Sequence, residues 1–367
     1  MRRVPRAAVM PGPGAPIEVR ELPAPEIEPG GILLETIYSE VCGTDVHLHH
    51  GRLAGVPYPI VPGHVSVGRV VETGGRVEDP DGRAIAIGDV VTFHDVHETC
   101  HRCWFCRVAG APNRCPHRKV YGITYGADEG LLGGWCEAIY LKPGVGVIPL
   151  PEGVDARRLI AGGCGLATAI HAVDRAEIRI GDLVAVQGSG PVGLSAAALA
   201  LLSGAGAVIV IGGPAGRLEV ARRVGADATV PLDGTSPDER VERVRELTAG
   251  RGADVTIEAT GSPAAIGEGL RMTRDAGRYV VAGQYTDAGE TTIHPHAMIN
   301  RKHLDVRGVW GAGYDHFRRM VDVLARHGDR IGWERTIGRE YGLDEMNDAL
   351  ADVEAGRVVK AVVAPNG

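Results

Sequence analysis

Four of the chain's seven cysteines crowd into one stretch, Cys100-His101-Arg102-Cys103-Trp104-Phe105-Cys106, with Cys115 close behind. The spacing is C-x2-C-x2-C-x8-C. Each x2 spacing lets two sulfurs converge on one point, and four thiolates match the tetrahedral, soft-ligand preference of structural zinc. Free buried thiols would not cluster in a segment otherwise poor in apolar residues. Disulfides need an oxidising compartment, for which the chain carries no address. A zinc-binding lobe over about residues 94–118 is therefore expected, with Cys100, Cys103, Cys106 and Cys115 as ligands.

Removing that set leaves Cys42, Cys136 and Cys164. Cys42 opens Cys42-Gly43-Thr44-Asp45-Val46-His47, and His64 lies in Gly63-His64-Val65. Cys164 lies in Gly162-Gly163-Cys164-Gly165-Leu166-Ala167-Thr168. Two thiolates and one imidazole make the Cys2His set of a catalytic zinc, whose fourth position stays open to water or substrate. Ligands so far apart carry no local spacing signal. At this level three unrelated residues, each beside glycine for backbone reasons, remain an open reading. Cys136 reads as a buried core thiol. His94, His97 and His101 flank a metal that the cysteines already saturate.

A third constellation is Gly188-Ser189-Gly190-Pro191-Val192-Gly193. With 53 glycines in 367 residues, G-x-G-x-x-G alone would be weak. Here an apolar run ends at Gly188 and a helix can open at Pro191. That context suits a phosphate-binding turn: tight reversal, close approach of backbone to pyrophosphate, and free N–H groups at a helix N-terminus. An acidic residue for the ribose hydroxyls is expected after the next strand. Counting back from Arg217-Leu218-Glu219 places Gly212 there instead, with Arg217 and Arg222 as the nearby cations. NADP is then no longer repelled, and use of both NAD and NADP is expected.

In their order along the chain, these motifs resemble the zinc-dependent medium-chain alcohol dehydrogenases over nearly the full length. The resemblance implies zinc on Cys42, His64 and Cys164, a second zinc in the four-cysteine lobe, and NAD(P). It implies reversible hydride transfer between an alcohol, secondary or cyclic, and that cofactor, giving a ketone or aldehyde. Thr44 and His47 match the family's proton relay, and Asp45 matches the carboxylate that orients the zinc histidine. Thr168 and Val192 match positions that pack the nicotinamide. Gly283 and Gln284 match the backbone that receives its carboxamide, and Lys360 the basic residue near the pyrophosphate. Two departures stand out. Val65 replaces the usual glutamate after the zinc histidine, which bears on any mechanism where that glutamate transiently binds zinc. The lobe's last spacer is eight residues rather than seven, an enlarged surface loop around Ala109 to Asn113. A non-catalytic relative or a zinc-free reductase of the same superfamily is the alternative, against which the intact Cys42, Thr44, His47, His64 and Cys164 argue.

The elements that must position these residues can be read coarsely. The length suggests two domains. Glycine is about twice its ~7% average, as turns and a nucleotide-binding unit require. Short β runs (Ile32 to Tyr38, Val67 to Glu72, Asp89 to Phe93) are punctuated by Pro and Gly, which reads as an irregular β barrel-like domain. From about 166, strands and helices alternate: Leu183 to Gln187, Pro191 to Leu202, Ala207 to Ile211, Gly216 to Val224, Val255 to Ala259, Tyr279 to Ala282. That pattern is an α/β doubly wound parallel sheet. With the resemblance, it implies a GroES-like catalytic domain over 1–165, a Rossmann domain over 166–308, and a C-terminal return to the first domain over 309–367. The formal charge of −7 and the lack of a long basic run argue against nucleic acid or anionic membrane as partner. The apolar stretch from Leu183 to Ile211 is broken by glycines and Pro191, so it reads as core rather than a membrane span. Met1-Arg2-Arg3-Val4 leads into no apolar run, so no signal peptide is read and a cytoplasmic location is expected. A homodimer or homotetramer acting on a small-molecule alcohol completes the expectation.

Overall fold

The computed structural model describes residues 4–367 and resolves them into two compact units. The first takes in the chain up to Gly163, together with Gly313–Arg326 and Ile337–Gly367. Its frame is a seven-stranded, largely antiparallel sheet ordered Ile337–Tyr341, Lys360–Val363, Ile32–Val41, Ser66–Thr73, Val90–Phe93 and Val147–Pro149, with Ala138–Leu141 also pairing Ile32–Val41. Trp135, Tyr121 and Phe93 are fully buried in its core. The long strand Ile32–Val41 is central, and its last three residues are all buried. It delivers the chain to Cys42, which caps the short helix Gly43–His49. The Cys42 sulfur accepts from Thr44 N (3.3 Å), and the Asp45 carboxylate accepts from Cys42 N (2.9 Å). That reciprocal box satisfies two N–H groups a helix start would otherwise leave open.

The second unit takes in Cys164–Ala312 and His327–Thr336. Its sheet has six strands in the order Ala228–Pro231, Ala207–Gly212, Leu183–Gln187, Ala253–Glu258, Thr273–Val281, Asp305–Gly308. All neighbours are parallel. In chain order this is 3-2-1-4-5-6, the doubly wound arrangement. It puts a crevice where the order reverses, at the C-terminal ends of Leu183–Gln187 and Ala253–Glu258. The helix Pro191–Leu202 opens with proline in its first turn and packs through small residues such as Ala196, Ala197 and Ala200. Gly193 has no room for a side chain, because a Cβ there would overlap the Gly188 carbonyl.

One difference from the sequence reading has a physical cause. The tail beyond 309 does not all belong with the first unit: His327–Thr336 belongs to the second. Its Trp333 is buried and donates through Nε1 to Ser195 Oγ (3.3 Å) on the Pro191–Leu202 helix, a contact that sequence periodicity does not announce. The segment from Ala156 to Ala176 looks like one helix but is broken at Gly163, whose φ of 50° and ψ of −154° suit glycine alone. Among the described residues, no helix is long and apolar enough to cross a membrane.

Candidate metal centre and dinucleotide site

Three short segments of the chain carry the ligand candidates. The strand Ile32–Val41 ends just before Cys42, the Gly63-His64 turn carries His64, and Gly163 is followed by Cys164. Ligand atoms of Cys42, His64 and Cys164 all lie within 4.8 Å of one another, with Cys42 Sγ 3.9 Å from His64 Nε2. Around a tetrahedral zinc with bonds of about 2.0–2.3 Å, a sulfur and a nitrogen should stand roughly 3.6 Å apart. Nε2 is therefore the nitrogen placed to serve as a ligand. Cys42, Asp45 and His64 are all buried. Burial, and then the neighbouring Cys42, hold the Asp45 carboxyl well above the usual range. Asp45 Oδ1 and His64 Nδ1 are buried without hydrogen-bond partners among the described residues. A pocket of soft and anionic donors in this state fits a bound divalent cation, and two thiolates with an imidazole select zinc.

The neighbouring side chains are placed by the short helix. Thr44 is half-buried beside Cys42. Asp45 was expected to orient His64, but its formed hydrogen bond goes to the Cys42 N–H instead. His47 is half-buried, with Arg52 Nη1 3.4 Å from its Nδ1. Burial, then the Arg52 charge, lower its pKa, so the ring is neutral and able to accept a proton near neutral pH.

The four-cysteine lobe has the same metal geometry in a looser setting. All four sulfurs lie within 4.8 Å of one another, with Cys103 Sγ 3.5 Å from Cys106 Sγ and 3.9 Å from Cys115 Sγ. A tetrahedron with bonds of about 2.3 Å has edges of about 3.8 Å, whereas a disulfide needs about 2.05 Å. Backbone N–H groups of Cys100 and Cys103 already point at Cys115 Sγ and Cys100 Sγ, as they do for thiolates.

In the second unit, Gly188, Gly190, Val192 and Gly193 line the turn from Leu183–Gln187 into Pro191–Leu202. Thr168 lies one helical turn after Cys164, and both are half-buried. Gly212 ends the adjacent strand. A Cβ there would stand 2.7 Å from Ser189 Cβ and overlap its hydroxyl. That hydroxyl donates to Gly213 O (3.1 Å) and accepts from Gly213 N (3.1 Å), so Ser189 occupies the ground a carboxylate would need. Arg217 is half-buried. The Gly283 N–H is taken by Glu258 and its carbonyl accepts from Tyr285 N (2.8 Å), whereas Gln284 Nε2 is buried without a hydrogen-bond partner among the described residues.

Lys360 departs most from expectation. Its ammonium lies 2.9 Å from Glu40 Oε1, 3.1 Å from Ile160 O and 3.3 Å from Gly162 O, with 1% of the side chain exposed. Three N–H donors meet three acceptors, which leaves none for a phosphate. Sequence reasoning also missed Ser189, Arg52, Glu40 and Glu258. Glu258 is buried at the end of its strand and accepts from Thr260 N, Thr260 Oγ1 and Gly261 N at 2.6–2.9 Å and from Gly283 N at 3.0 Å. A lone carboxylate ending an apolar strand, as in Val255-Thr256-Ile257-Glu258, was the available signal. Arg52 had none.

Comparison with known proteins adds independent support. The family description "Alcohol dehydrogenase GroES-like domain" matches residues 28–152, and "Zinc-binding dehydrogenase" matches 191–326. A 5-exo-hydroxycamphor dehydrogenase of Pseudomonas putida is 33% identical over 360 residues, 98% of each chain. An alcohol dehydrogenase of Thermotoga maritima superposes with a TM-score of 0.93 at 34% identity, over 99% of both chains. A structure from Sinorhizobium meliloti 1021, solved bound to NADP, gives 0.87 at 30% identity, over 99% of this chain and 100% of that one.

Two outcomes are expected. Metal analysis should give two zinc ions per chain. Cys103→Ser should lose one together with thermal stability, since structural zinc binding is coupled to local folding. Cys164→Ala should lose the other and stay folded. A single zinc in the wild type would contradict the assignment. At the ribose turn, Gly212→Asp alone should strain the loop and lower the melting temperature. Ser189→Gly with Gly212→Asp should relieve the overlap and weaken NADP relative to NAD by about tenfold or more, each tenfold being about 1.4 kcal/mol. Titration of both cofactors against both variants reads this out.

Proposed function

Because the chain belongs to the zinc-dependent medium-chain dehydrogenase/reductase family, we propose that it transfers hydride reversibly between an alcohol and NAD(P), giving a ketone or aldehyde. The observation that carries this reading is the Cys42, His64 and Cys164 donor set, three ligands with a fourth position left over. Zinc bound there supplies Lewis acidity, which lowers the pKa of a hydroxyl or, in the reverse direction, polarises a carbonyl.

The chain's own residues do the rest. The Thr44 hydroxyl would hydrogen-bond the substrate oxygen, and His47 would take up the proton that the alcohol gives up. The lowered pKa of His47 supports that role, because a ring already charged could not accept it. Asp45 holds the start of the helix through the Cys42 N–H. The N-terminus of Pro191–Leu202 would hold the pyrophosphate, where glycine lets the backbone approach closely. Thr168 and Val192 would pack the nicotinamide, the Gly283-Gln284 segment would receive its carboxamide, and Arg217 would stand at the adenosine end. The likeness to the NADP-bound structure supports NADP as a competent cofactor, and Gly212 removes the carboxylate that would repel its phosphate.

Further features belong to the same reading. The likeness to a hydroxycamphor dehydrogenase over nearly the whole chain supports a secondary or cyclic alcohol. The outer edge of Asp305–Gly308 supports a homodimer or homotetramer, because that strand ends the sheet and Val306 on it is 44% exposed. Cysteines grouped at metal-ligand distances rather than in disulfides support a reducing, cytoplasmic setting.

Absorbance of the reduced nicotinamide, followed with a panel of primary, secondary and cyclic alcohols, tests the activity. Turnover should appear with both cofactors, their kcat/KM values within roughly tenfold to a hundredfold (~1.4–2.7 kcal/mol) of each other. No turnover with any alcohol, or a preference beyond a thousandfold, would overturn the respective part. His47→Gln should slow oxidation about 10- to 100-fold at neutral pH and less at alkaline pH, where hydroxide takes over the proton. Arg52→Gln removes a charge that lowers the His47 pKa, so that pKa should rise. The acid limb of kcat/KM for oxidation should then move to higher pH; an unmoved limb would take Arg52 out of the account.

A further inference from the structure

Two almost fully buried charges of the first unit face each other. Glu40 and Lys360 are each 1% exposed, on adjacent antiparallel strands paired as Ala361 with Val41 and Val362 with Glu40. Alternate residues of a strand share a face, so Glu40 stands two places before Cys42 on the same side. Lys360 spends its other two donors on Ile160 O and Gly162 O, carbonyls of the helical segment that breaks at Gly163. A cation on the last carbonyls of a helix is favourable and marks its end. The break follows at once, and Cys164 comes two residues after Gly162. Gly163 is confined from both sides: its φ is 50°, and a Cβ there would overlap Glu40 Oε2 and Lys360 Nζ. The Glu40 backbone is equally fixed, with its N–H on Val65 O (3.1 Å) and its carbonyl on Trp135 Nε1 (3.0 Å).

We propose that Glu40 and Lys360 are the positioning pair of the candidate metal centre: one buried ion pair ties the strand that presents Cys42 to the helix break that presents Cys164. Neither side chain touches the metal. Each thiolate sits two residues from an anchor point, Glu40 for Cys42 and Gly162 for Cys164, so the pair sets the distance between the two sulfurs. The segment carrying His64 is tied to the same strand through Val65 O. Lys360 belongs to this structural role rather than to cofactor phosphate.

The proposal rests on reading Cys42, His64 and Cys164 as zinc ligands, and the test separates the two. Glu40→Leu with Lys360→Met removes both charges together, which avoids stranding either one in the core. The full-length protein, loaded with zinc, is challenged with a chelator, and zinc release is followed with the melting temperature. The wild type should release its zinc in two phases, one assigned to the lobe with Cys103→Ser and one to the centre with Cys164→Ala. In the double variant the centre phase should quicken at least tenfold while the lobe phase and the melting temperature stay near wild type. Cobalt loaded in place of zinc should show an altered thiolate charge-transfer band. Gly163→Ala, which disturbs the turn and keeps both charges, should produce the same selective release if the double variant fails to fold. Unchanged release and an unchanged cobalt band in the variants overturn the positioning role alone. A wild type with only the lobe zinc overturns the metal centre, and the positioning role falls with it.

Discussion

A charge carried below the surface of a protein must be answered by another charge or by hydrogen bonds, because its lost hydration is otherwise too costly. This chain buries several near its working parts, and each answer fixes a piece of geometry. Lys360 finds Glu40 and two carbonyls, and two segments distant in sequence are locked together. Glu258 finds donors from the loops after two neighbouring strands, and the rim of the parallel sheet acquires its shape. Asp45 finds only the Cys42 N–H and keeps one oxygen unanswered beside two ligand residues. The first two are satisfied and rigid. The third is left with an oxygen unpaired among the described residues.

The two clusters of thiols divide labour for a reason visible in their surroundings. In the lobe four ligands come from one short stretch and close the coordination sphere, so the ion there can only hold the loop together. At the other centre three ligands come from segments that the sheet must first assemble, and one position stays open. A closed site needs little scaffold beyond its own loop. An open one needs a scaffold stiff enough that the ligands do not relax inward and fill the vacant position themselves, the physical use of a fully buried clamp.

Glycine works in the same sense at both sites. Gly193 lets the helix pack against the turn at Gly188, and Gly163 lets the chain bend past the ion pair. Gly212 is tighter than a sequence count suggests, since Ser189 already fills the space beyond it. A residue larger than glycine at position 212 would therefore have to displace the Ser189 side chain.

The chain's local chemistry was legible from the sequence. The lobe cysteines are neighbours, so their spacing reports their geometry directly. The phosphate turn is a contiguous run between a strand and a helix whose periods change on either side of it, and Leu183–Gln187 and Pro191–Leu202 fall where that pattern places them. What tertiary structure alone decided is every relation between residues that share no local pattern. The convergence of Cys42, His64 and Cys164 depends on strand pairing and on a helix break at Gly163. The partner of Lys360 lies more than three hundred residues away. Trp333 joins the second unit because it packs on Ser195. Periodicity reports which face of an element is apolar, but not which other element covers it or which distant charge will answer a buried one. Those matches depend on through-space distance, and a linear order of residues carries that only where the chain has no freedom to separate them.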